Sequence, residues 1–520
     1  MNNFDGQILF ALIASLILAW VSSWWVAKRY ASQVLACTQM GSSPSDALTT
    51  DLPEPVQLPA SVSAVSGNVH LVKQNRAARR NLRLALTLSC LVLAAIIAAV
   101  AQSAYVTDGF SWRRLVTLTL VFAWPLVATI GLLERWPRGK IFFISLQYVA
   151  LSSVIVMLNS DENQHFLPVL LWLFSQQLPL LLIVFFMTGP RLRSTGPYLI
   201  LVFFSLTVSS LLGLSALEHS LGDNADSWII DLARLTNAYV VFGLFSIAPW
   251  LLAFFPVRFF ARRLANAYQG KAFSEPLYLA AGLWIITLLI QALTLSHSID
   301  WRAYHLLWAC LLFPIFILLM RPALRPRHQP PTLLLLRVFR GDNSIEALFD
   351  QVIEHWRYSG NTLLIAGKDL ALRNLEPDEL FGFLSGRLQE RFITDSDRLQ
   401  QVLNALDLSS DPDGRYRVNE FFCFDSSWKM VLETLINQAD RVLMDLRGYT
   451  TDRQGCSHEL SVLADKPHLK KLIILFDKLT DKTSAEWLLA DSRLKISWID
   501  GEKRPAHTAD DLLKALLSDA

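Results

Sequence analysis

Nine long apolar stretches lie before residue 321, and they constrain the fold of this chain more than any other feature of its sequence. A helix that crosses the hydrocarbon core of a bilayer needs about 20 largely apolar residues. We predict membrane-spanning helices at residues 7–27, 84–106, 115–133, 141–158, 167–188, 196–217, 237–257, 276–296 and 302–320. Because hydrophobic residues also make up 52% of the chain, an ordinary soluble enzyme is a poor description of the whole molecule.

The basic residues between these stretches predict the orientation of the chain. Short cytoplasmic loops of membrane proteins are enriched in Lys and Arg. With the N-terminus outside, the segments predicted to be cytoplasmic hold 19 Lys and Arg, including five between Lys73 and Arg83, and the external segments hold 4. The sequence therefore predicts nine crossings, an uncleaved first span and a C-terminal part in the cytosol. The arrangement is typical of a bacterial inner-membrane protein.

The predicted spans carry no Asp, Glu, Lys or Arg near their middle. Ionisable residues inside a membrane usually mark a proton or ion pathway, so their absence argues against a proton-coupled transporter. Some polar or helix-breaking residues lie within the spans, namely Gln147, Gln176, Gln177, Gln291, Pro125, Pro179 and Pro249. Hydrogen bonds between helices and tolerated kinks explain them more simply than a substrate site.

The charge balance changes near residue 330. From Pro330 to the end, Lys and Arg number 24 and Asp and Glu number 31, whereas the preceding part is basic. We predict a membrane domain at 1–325, which contains a disordered cytoplasmic linker at 41–69, and a cytosolic domain at 330–520. The five cysteines show no CxxC spacing, so we predict neither a disulfide framework nor a metal site. Nothing in the sequence indicates nucleic-acid binding.

Short apolar runs alternate with amphipathic helices after Pro331, as in βαβ units. We predict strands at 333–339, 362–366, 418–424, 441–446, 471–476 and 495–499, with helices at 344–357, 376–391, 395–406, 427–438, 455–464, 483–490 and 509–518. The runs LLLLRVF, RVLMDL and KLIILF are almost continuously apolar, as expected when helices cover both faces of a parallel sheet. The sequence thus predicts a doubly wound α/β domain.

Charged residues follow most of these strands. Ligands of doubly wound sheets bind beyond the carboxyl ends of the strands. The candidate ligand-binding residues are Arg340, Lys368, Asp369, Asp425, Asp445, Arg447 and Asp477. A helix-capping role explains a single aspartate at least as well, above all Asp425. Neither a Walker A motif nor GxGxxG follows a strand, which disfavours a P-loop NTPase and a dinucleotide-binding Rossmann domain.

The stretch from Trp428 to Leu463, WKMVLETLINQADRVLMDLRGYTTDRQGCSHELSVL, resembles the centre of a Toll/interleukin-receptor (TIR) domain. An amphipathic helix leads through Ala439-Asp440 into an apolar strand, and a turn containing Cys456 then opens a helix with Glu459. LLLLRVFR resembles the opening strand, and LKISWIDG with TADDLLKALL resembles the closing strand and last helix, so the resemblance extends over about 332–518. The chain departs from the family by an acidic insertion at about 370–417 and by DLRG in place of a Ser-Pro turn.

The resemblance implies a flavodoxin-like or TIR-like fold and a possible role for Glu459. Catalytic TIR domains keep a glutamate at the matching position and use it in cleaving the nicotinamide–ribose bond of NAD. A carboxylate suits that reaction because it can stabilise the oxocarbenium-like ribosyl centre. The alternative is an ordinary solvated glutamate near a helix start. Cys456 and His458 lack a third ligand nearby and are better explained as structural residues.

Three functions remain open. The first is a TIR-like signalling or assembly module on a membrane anchor, with the lipid bilayer and further copies of its own cytosolic domain as partners. The second is a membrane-tethered NAD glycohydrolase with Glu459 as the catalytic residue and NAD as substrate or ligand. The third is a channel or transporter with a cytosolic regulatory domain. We favour the first because it requires only the fold, whereas an enzyme also requires a competent pocket.

Overall fold

The computed structural model of the chain describes residues 3–40, 71–105, 109–159, 165–187, 196–221, 228–326, 329–337, 343–366, 383, 391–424, 426–490, 492–502 and 505–518. The chain divides into two compact units. Unit 1 comprises Met1–Arg29, Leu84–Leu319 and Leu375–Phe381. Unit 2 comprises Tyr30–Arg83, Met320–Asn374 and Gly382–Ala520. Unit 2 therefore includes, besides most of the predicted cytosolic domain, the segment from Tyr30 to Arg83. The predicted linker at 41–69 lies outside the described residues.

Helices make up the described part of unit 1, and three of them, α1, α2 and α12, continue from one unit into the other. Their bounds are α1 Asn3–Met40, α2 Leu71–Tyr105, α3 Trp112–Phe122, α4 Pro125–Leu133, α5 Arg138–Asn159, α6 Phe166–Met187, α7 Gly196–Leu221, α8 Trp228–Leu235, α9 Ala238–Ile247, α10 Trp250–Gln269 and α11 Glu275–Ile299, followed by a 3₁₀ helix at Asp300–Leu311 and α12 at Leu312–Leu324.

Seven helical segments among the described residues are long and apolar enough to cross a membrane, and the number reaches nine if each of two bent helix pairs counts as one span. The nine stretches predicted from the sequence correspond to these segments. Two predicted spans are bent rather than straight: α3 and α4 meet at 41°, and α6 bends by 50° between Ser175 and Gln177. Proline accounts for both bends, because Pro125 and Pro179 lack the N–H that would bond to the carbonyl four residues earlier.

A seven-stranded parallel sheet forms the centre of unit 2, in the order β3-β4-β2-β1-β5-β6-β7. The strands are β1 Thr332–Arg337, β2 Asn361–Ala366, β3 Phe392–Ile393, β4 Val418–Cys423, β5 Arg441–Asp445, β6 Lys471–Phe476 and β7 Ile496–Asp500. The six predicted strands are confirmed within one or two residues at each end. The seventh, β3, has two residues and is too short to produce a sequence pattern.

Helices cover both faces of this sheet. They are α13 Asn343–Trp356, α14 Ser396–Asn404, α15 Trp428–Gln438, α16 Gln454–Ala464, α17 Lys482–Leu488 and α18 Pro505–Leu517. Along β1, Leu334 and Leu336 pack with α14, α15, α16 and α17, whereas Leu333 and Leu335 pack with α13 and α18. Burial on both faces explains why these strands are continuously apolar. Nearly all of the predicted helix at 376–391 lies outside the described residues.

Candidate functional site

The strand order places a change of direction between β1 and β5. From β1 the sheet continues to β2 on one side, and from β5 it continues through β6 to β7 on the other. A crevice at the carboxyl ends of the strands is expected at such a point. Arg337 ends β1 and pairs in register with Asp445, which ends β5. The candidate site therefore lies around the residues that follow Asp445.

Asp445 and Arg447 form a buried ion pair at this edge. Arg447 donates from Nε to Asp445 Oδ1 at 2.9 Å and from Nη2 to Oδ2 at 3.0 Å. The Arg447 guanidinium also lies 5.9 Å from the centroid of the Phe349 ring. Two parallel N–H···O bonds satisfy both carboxylate oxygens. Because each residue neutralises the other, the pair forms a fixed polar surface at this edge and leaves no uncompensated charge to bind a ligand.

Asp477 is occupied by its own turn. Its Oδ1 atom accepts hydrogen bonds from Gly448 N–H at 2.8 Å, from Leu479 N–H at 3.1 Å and from the Thr480 hydroxyl at 2.8 Å. These bonds join the loop after β6 to the loop after β5. Gly448 has a positive φ of 66°, which favours glycine at this point of the turn. The contacts assign Asp477 a structural role beside the candidate site.

Glu459 is buried in the second turn of α16, with 9% of its surface exposed. Its helical neighbours Leu460 and Leu463 belong to the core beneath the sheet. The Oε2 atom is buried and has no hydrogen-bond partner among the described residues. Burial raises the pKa of this carboxyl from 4.5 to about 8, so the protonated form predominates at neutral pH. The alternative of a solvated glutamate at a helix start is therefore wrong.

Cys456 lies one turn before Glu459. Burial raises the pKa of its thiol to about 12, and the negative charges of Glu459 and Asp445 contribute while Arg453 opposes them. A thiol with so high a pKa remains protonated and is a poor nucleophile. Cys456 therefore provides apolar surroundings for Glu459 rather than an activated sulfur.

Aromatic rings lie beside this turn of α16. The His458 ring meets the Trp428 ring edge to face at a centroid distance of 5.8 Å, and the hydroxyls of Tyr449 and Ser457 are 2.9 Å apart. The His458 Nε2 atom is 4.0 Å from Glu433 Oε1. Among the described residues, no group of three or more His, Cys, Asp and Glu is arranged to hold a metal ion.

Four of the eight predicted site residues can be placed. Asp445, Arg447, Glu459 and Asp477 belong to the carboxyl edge of the sheet or to the helix that follows it, as predicted. Arg340, Lys368, Asp369 and Asp425 lie outside the described residues. The environment of each placed residue differs: the first two are paired, Asp477 holds a turn, and Glu459 alone combines burial with an unpartnered oxygen.

Sequence reasoning missed a buried ion network at the end of the acidic insertion. Arg415 binds Asp413 Oδ2 at 2.9 Å and Glu354 Oε2 at 2.8 Å, and Arg417 binds Asp411 Oδ1 at 2.9 Å. Burial raises the pKa of the Asp411 carboxyl, Asp413 adds to the rise, and Arg417 opposes it. The alternation of acidic and basic residues in DPDGRYR was the available signal. The composition of this segment does not indicate that the ion network is buried.

Sequence reasoning also missed a contact between α2 and the sheet domain, within unit 2. Leu71 is buried in the same cluster as Leu333 and Trp356. One turn later, Asn75 donates from Nδ2 to the His355 carbonyl at 2.6 Å and to the Ser359 hydroxyl at 2.8 Å. The first turns of α2 are thus part of the domain core.

Comparisons with protein-family models, with curated proteins and with solved structures find no match for this chain.

Proposed function

We propose that this chain is an integral membrane protein, of the bacterial inner-membrane kind, that presents a TIR-like α/β domain to the cytosol for signalling or assembly. The candidate spans support membrane insertion. The excess of Lys and Arg in the segments predicted to be cytoplasmic supports an external N-terminus and a cytosolic sheet domain.

The sheet order supports the TIR-like assignment. Without β3 and β4, the remaining order is β2-β1-β5-β6-β7, which is the flavodoxin-like order 2-1-3-4-5. Both additional strands lie on the far side of β2, where the acidic insertion and its following strand enter the sheet. The insertion that separates this sequence from the TIR pattern therefore extends one edge of the sheet and leaves the change of direction between β1 and β5 intact.

The contact of Leu71 and Asn75 with the sheet domain carries the signalling proposal. Because α2 continues without interruption from this contact into a candidate membrane span, the domain core includes part of a spanning helix. A displacement or rotation of α2 would be transmitted through this contact to α13 and to β2, the strand that follows α13. A domain that was only attached to the membrane would not need a spanning helix packed in its core.

Self-association tests the assembly function. Leu479 and Trp487 are 63% and 76% exposed, and they are the exposed large apolar side chains among the described residues after 330. These two side chains are the candidate points of contact between copies of the domain. We expect the purified full chain to form oligomers in detergent by light scattering, and the double substitution Leu479→Ser and Trp487→Ser to reduce their mass.

Glu486→Ser is the matched control, since Glu486 is an exposed neighbour on the same helix. It should leave the oligomer unchanged. A monomeric wild type, both in detergent and after reconstitution in vesicles, would contradict assembly through this domain.

NAD cleavage is the second candidate function, and the environment of Glu459 favours it. An unpartnered buried carboxyl beside the carboxyl edge of a parallel sheet is unusual unless a ligand or catalysis uses it. Under this proposal Glu459, once ionised, stabilises the ribosyl cation left when nicotinamide departs. Release of nicotinamide should rise with pH toward about 8, where the free carboxyl ionises.

Glu459→Gln distinguishes the two functions. For an NAD-cleaving enzyme, nicotinamide release from the full chain should fall by about 10² or more, the scale for losing one preorganised electrostatic group. Glu433→Gln, on the neighbouring helix, is the matched control and should retain activity. A wild type without activity, including after clustering on vesicles, would exclude the enzyme. An active Glu459→Gln variant would exclude this residue as the catalytic group.

A further inference from the structure

Two helix breaks in unit 1 lie at the same level of the bundle. Val121 of α3, Val149 of α5 and Leu173 of α6 form one small cluster, which we call the valine cluster. The same three stretches of chain, α3–α4, α5 and α6, also contribute to a second apolar cluster of unit 1, which we call the main cluster. Their residues in it are Trp124 and Ala128, Ile141, and Leu180 and Leu181. The α3–α4 break and the α6 break both lie between the two clusters.

Two buried polar side chains lie between the valine cluster and the main cluster, in what we call the intermediate layer. Ser145 is midway between Ile141 and Val149 on α5, and Gln177 is midway between Leu173 and Leu181 on α6. Since α5 and α6 run between the same two clusters in opposite directions, these positions face the same level. Both residues are 1% exposed. The Ser145 hydroxyl and the Gln177 Oε1 atom have no hydrogen-bond partner in the part of the chain that the structure describes.

The break between α3 and α4 leaves the Val121 and Phe122 carbonyls without their i+4 N–H donors. Pro125 has no N–H to give to the Val121 carbonyl, and Leu126 N–H bonds to Ala123 O at 3.0 Å instead of to Phe122 O. Tyr148 of α5 donates its hydroxyl to the Leu120 carbonyl. A buried polar group without a partner costs about 1 to 3 kcal/mol, so two of them in one layer require an explanation. Discontinuous helices with such groups at mid-span commonly form solute sites.

The chemistry of the layer selects the solute. Every residue of unit 1 that the structure describes as buried and polar is Ser, Thr or Gln, and none is charged. An ion entering this layer would meet no countercharge and would lose its hydration at high cost. Oxygen acceptors and hydroxyls among apolar side chains match a neutral molecule that carries several hydrogen-bond donors. The hydroxyls of Ser15 on α1 and Thr207 on α7, beside the main cluster, also have no hydrogen-bond partner among the described residues.

We propose that the layer containing Ser145, Gln177 and the two helix breaks binds a small uncharged polar solute, of the polyol or amide class, on a path across the membrane. This site rests on the proposed membrane insertion but is independent of signalling and of NAD cleavage. It assigns the bundle a function of its own in addition to anchoring the sheet domain.

Solute permeation into vesicles tests the proposal. The full chain is reconstituted into phosphatidylethanolamine–phosphatidylglycerol liposomes, and flotation establishes insertion before permeation is measured. Glycerol and urea are the probes, and sodium chloride is the charged comparison. After a hyperosmotic challenge, re-swelling followed by light scattering should be several-fold faster than in empty liposomes for glycerol or urea and unchanged for sodium chloride.

Variants locate the site. Gln177→Leu and Ser145→Ala should each slow permeation of the probe by about three- to tenfold, the range for losing one hydrogen bond to a bound solute. Ser153→Ala is the matched control, because Ser153 lies two turns along α5 and its hydroxyl bonds to the Val149 carbonyl at 2.9 Å. The probe should enter vesicles that contain Ser153→Ala as fast as vesicles that contain the wild type. Ser145→Ala keeps the test valid if Gln177→Leu fails to insert.

Three outcomes would overturn the proposal: inserted protein with no faster entry of either probe, equal acceleration of sodium chloride, or equal effects of Ser153→Ala and Ser145→Ala. If the chain does not float with the vesicles, membrane insertion itself fails, which is a separate result.

Discussion

The Glu459 carboxyl links folding to pH. Below about pH 4.5 the group is protonated in both the folded and unfolded chain and changes nothing. Between pH 4.5 and about 8 the unfolded chain releases this proton while the folded chain keeps it. The folded state then binds more protons, so its stability falls as pH rises, and the loss is complete above about pH 8.

We therefore expect Glu459→Gln to be more stable than the wild type at high pH. The difference should be small near the pKa of the unfolded carboxyl and should grow to the order of a few kcal/mol above about pH 8, at about 1.4 kcal/mol per pKa unit. Thermal unfolding of the purified chain in detergent, measured across this pH range, provides the comparison. Glu433→Gln should follow the wild type. A Glu459→Gln variant with an unchanged pH dependence would show that the carboxyl is solvated.

The Arg415 network should be far more sensitive to substitution than a surface ion pair. Arg415→Met leaves the buried carboxylates of Asp413 and Glu354 without their shared partner and should reduce the free energy of unfolding by about 3 to 5 kcal/mol. Lys470→Met removes an exposed partner of Asp440 and should cost less than about 1 kcal/mol. Equal losses of unfolding free energy in the two variants would contradict the burial of the network.

At the scale of elements, the turn at Gly414 fixes the ion network against the end of α12. Gly414 has a φ of +81°, and a Cβ atom there would collide with the Leu324 carbonyl oxygen. Gly109 offers a matched control because its φ is +90° but open space surrounds the Cβ position. Alanine at either position is strained by the left-handed backbone conformation. Only Gly414→Ala also places a Cβ atom against the Leu324 carbonyl oxygen.

We expect Gly109→Ala to cost about 1 to 2 kcal/mol and Gly414→Ala to cost about 1 to 3 kcal/mol more. Thermal unfolding midpoints of the two variants provide the measurement. Hydrogen exchange should also increase around 411–417 in Gly414→Ala. If the two substitutions have the same effect, the close approach of Gly414 to Leu324 is absent.

Periodicity and hydropathy predicted most elements, and their failures have physical causes. The apolar strands β1, β5 and β6 were predictable because burial on both faces leaves continuous Leu, Ile and Val. Helix α2 begins 13 residues before the predicted span because residues 71–83 are basic and amphipathic, a pattern that a hydropathy window excludes. The bends at Pro125 and Pro179 were foreseeable as kinks, but their common level depends on how α3, α5 and α6 pack.

The candidate site was predictable in position and only partly in chemistry. The parallel-sheet pattern indicated the carboxyl edge, and the TIR resemblance selected Glu459. The pairing of Asp445 with Arg447 follows from loop geometry, and the burial of Glu459 depends on how its helix packs in the core with Leu460 and Leu463. The Arg415 network was missed for the same reason, since Glu354 is 61 residues away from Arg415.

In the proposed topology, the sheet domain and the external loops lie on opposite sides of a membrane. Orientation depends on the Lys and Arg of short loops. Removing those charges should therefore disturb the topology more than removing acidic residues. Substituting Gln for Arg135, Arg138 and Lys140 together should produce a mixed orientation of the adjacent spans, measured by labelling of single cysteines from outside. Uniform labelling identical to that of the wild type would contradict charge-set orientation.

Topology reporters distinguish a cytosolic sheet domain from an external one. We predict that a reporter fused after Ala520 is active only as a cytoplasmic protein, and that reporters inserted near Asn163 and Asp223 are active only outside. An external reading after Ala520, or cytoplasmic readings at both loop positions, would contradict the account of a membrane protein that presents its α/β domain to the cytosol.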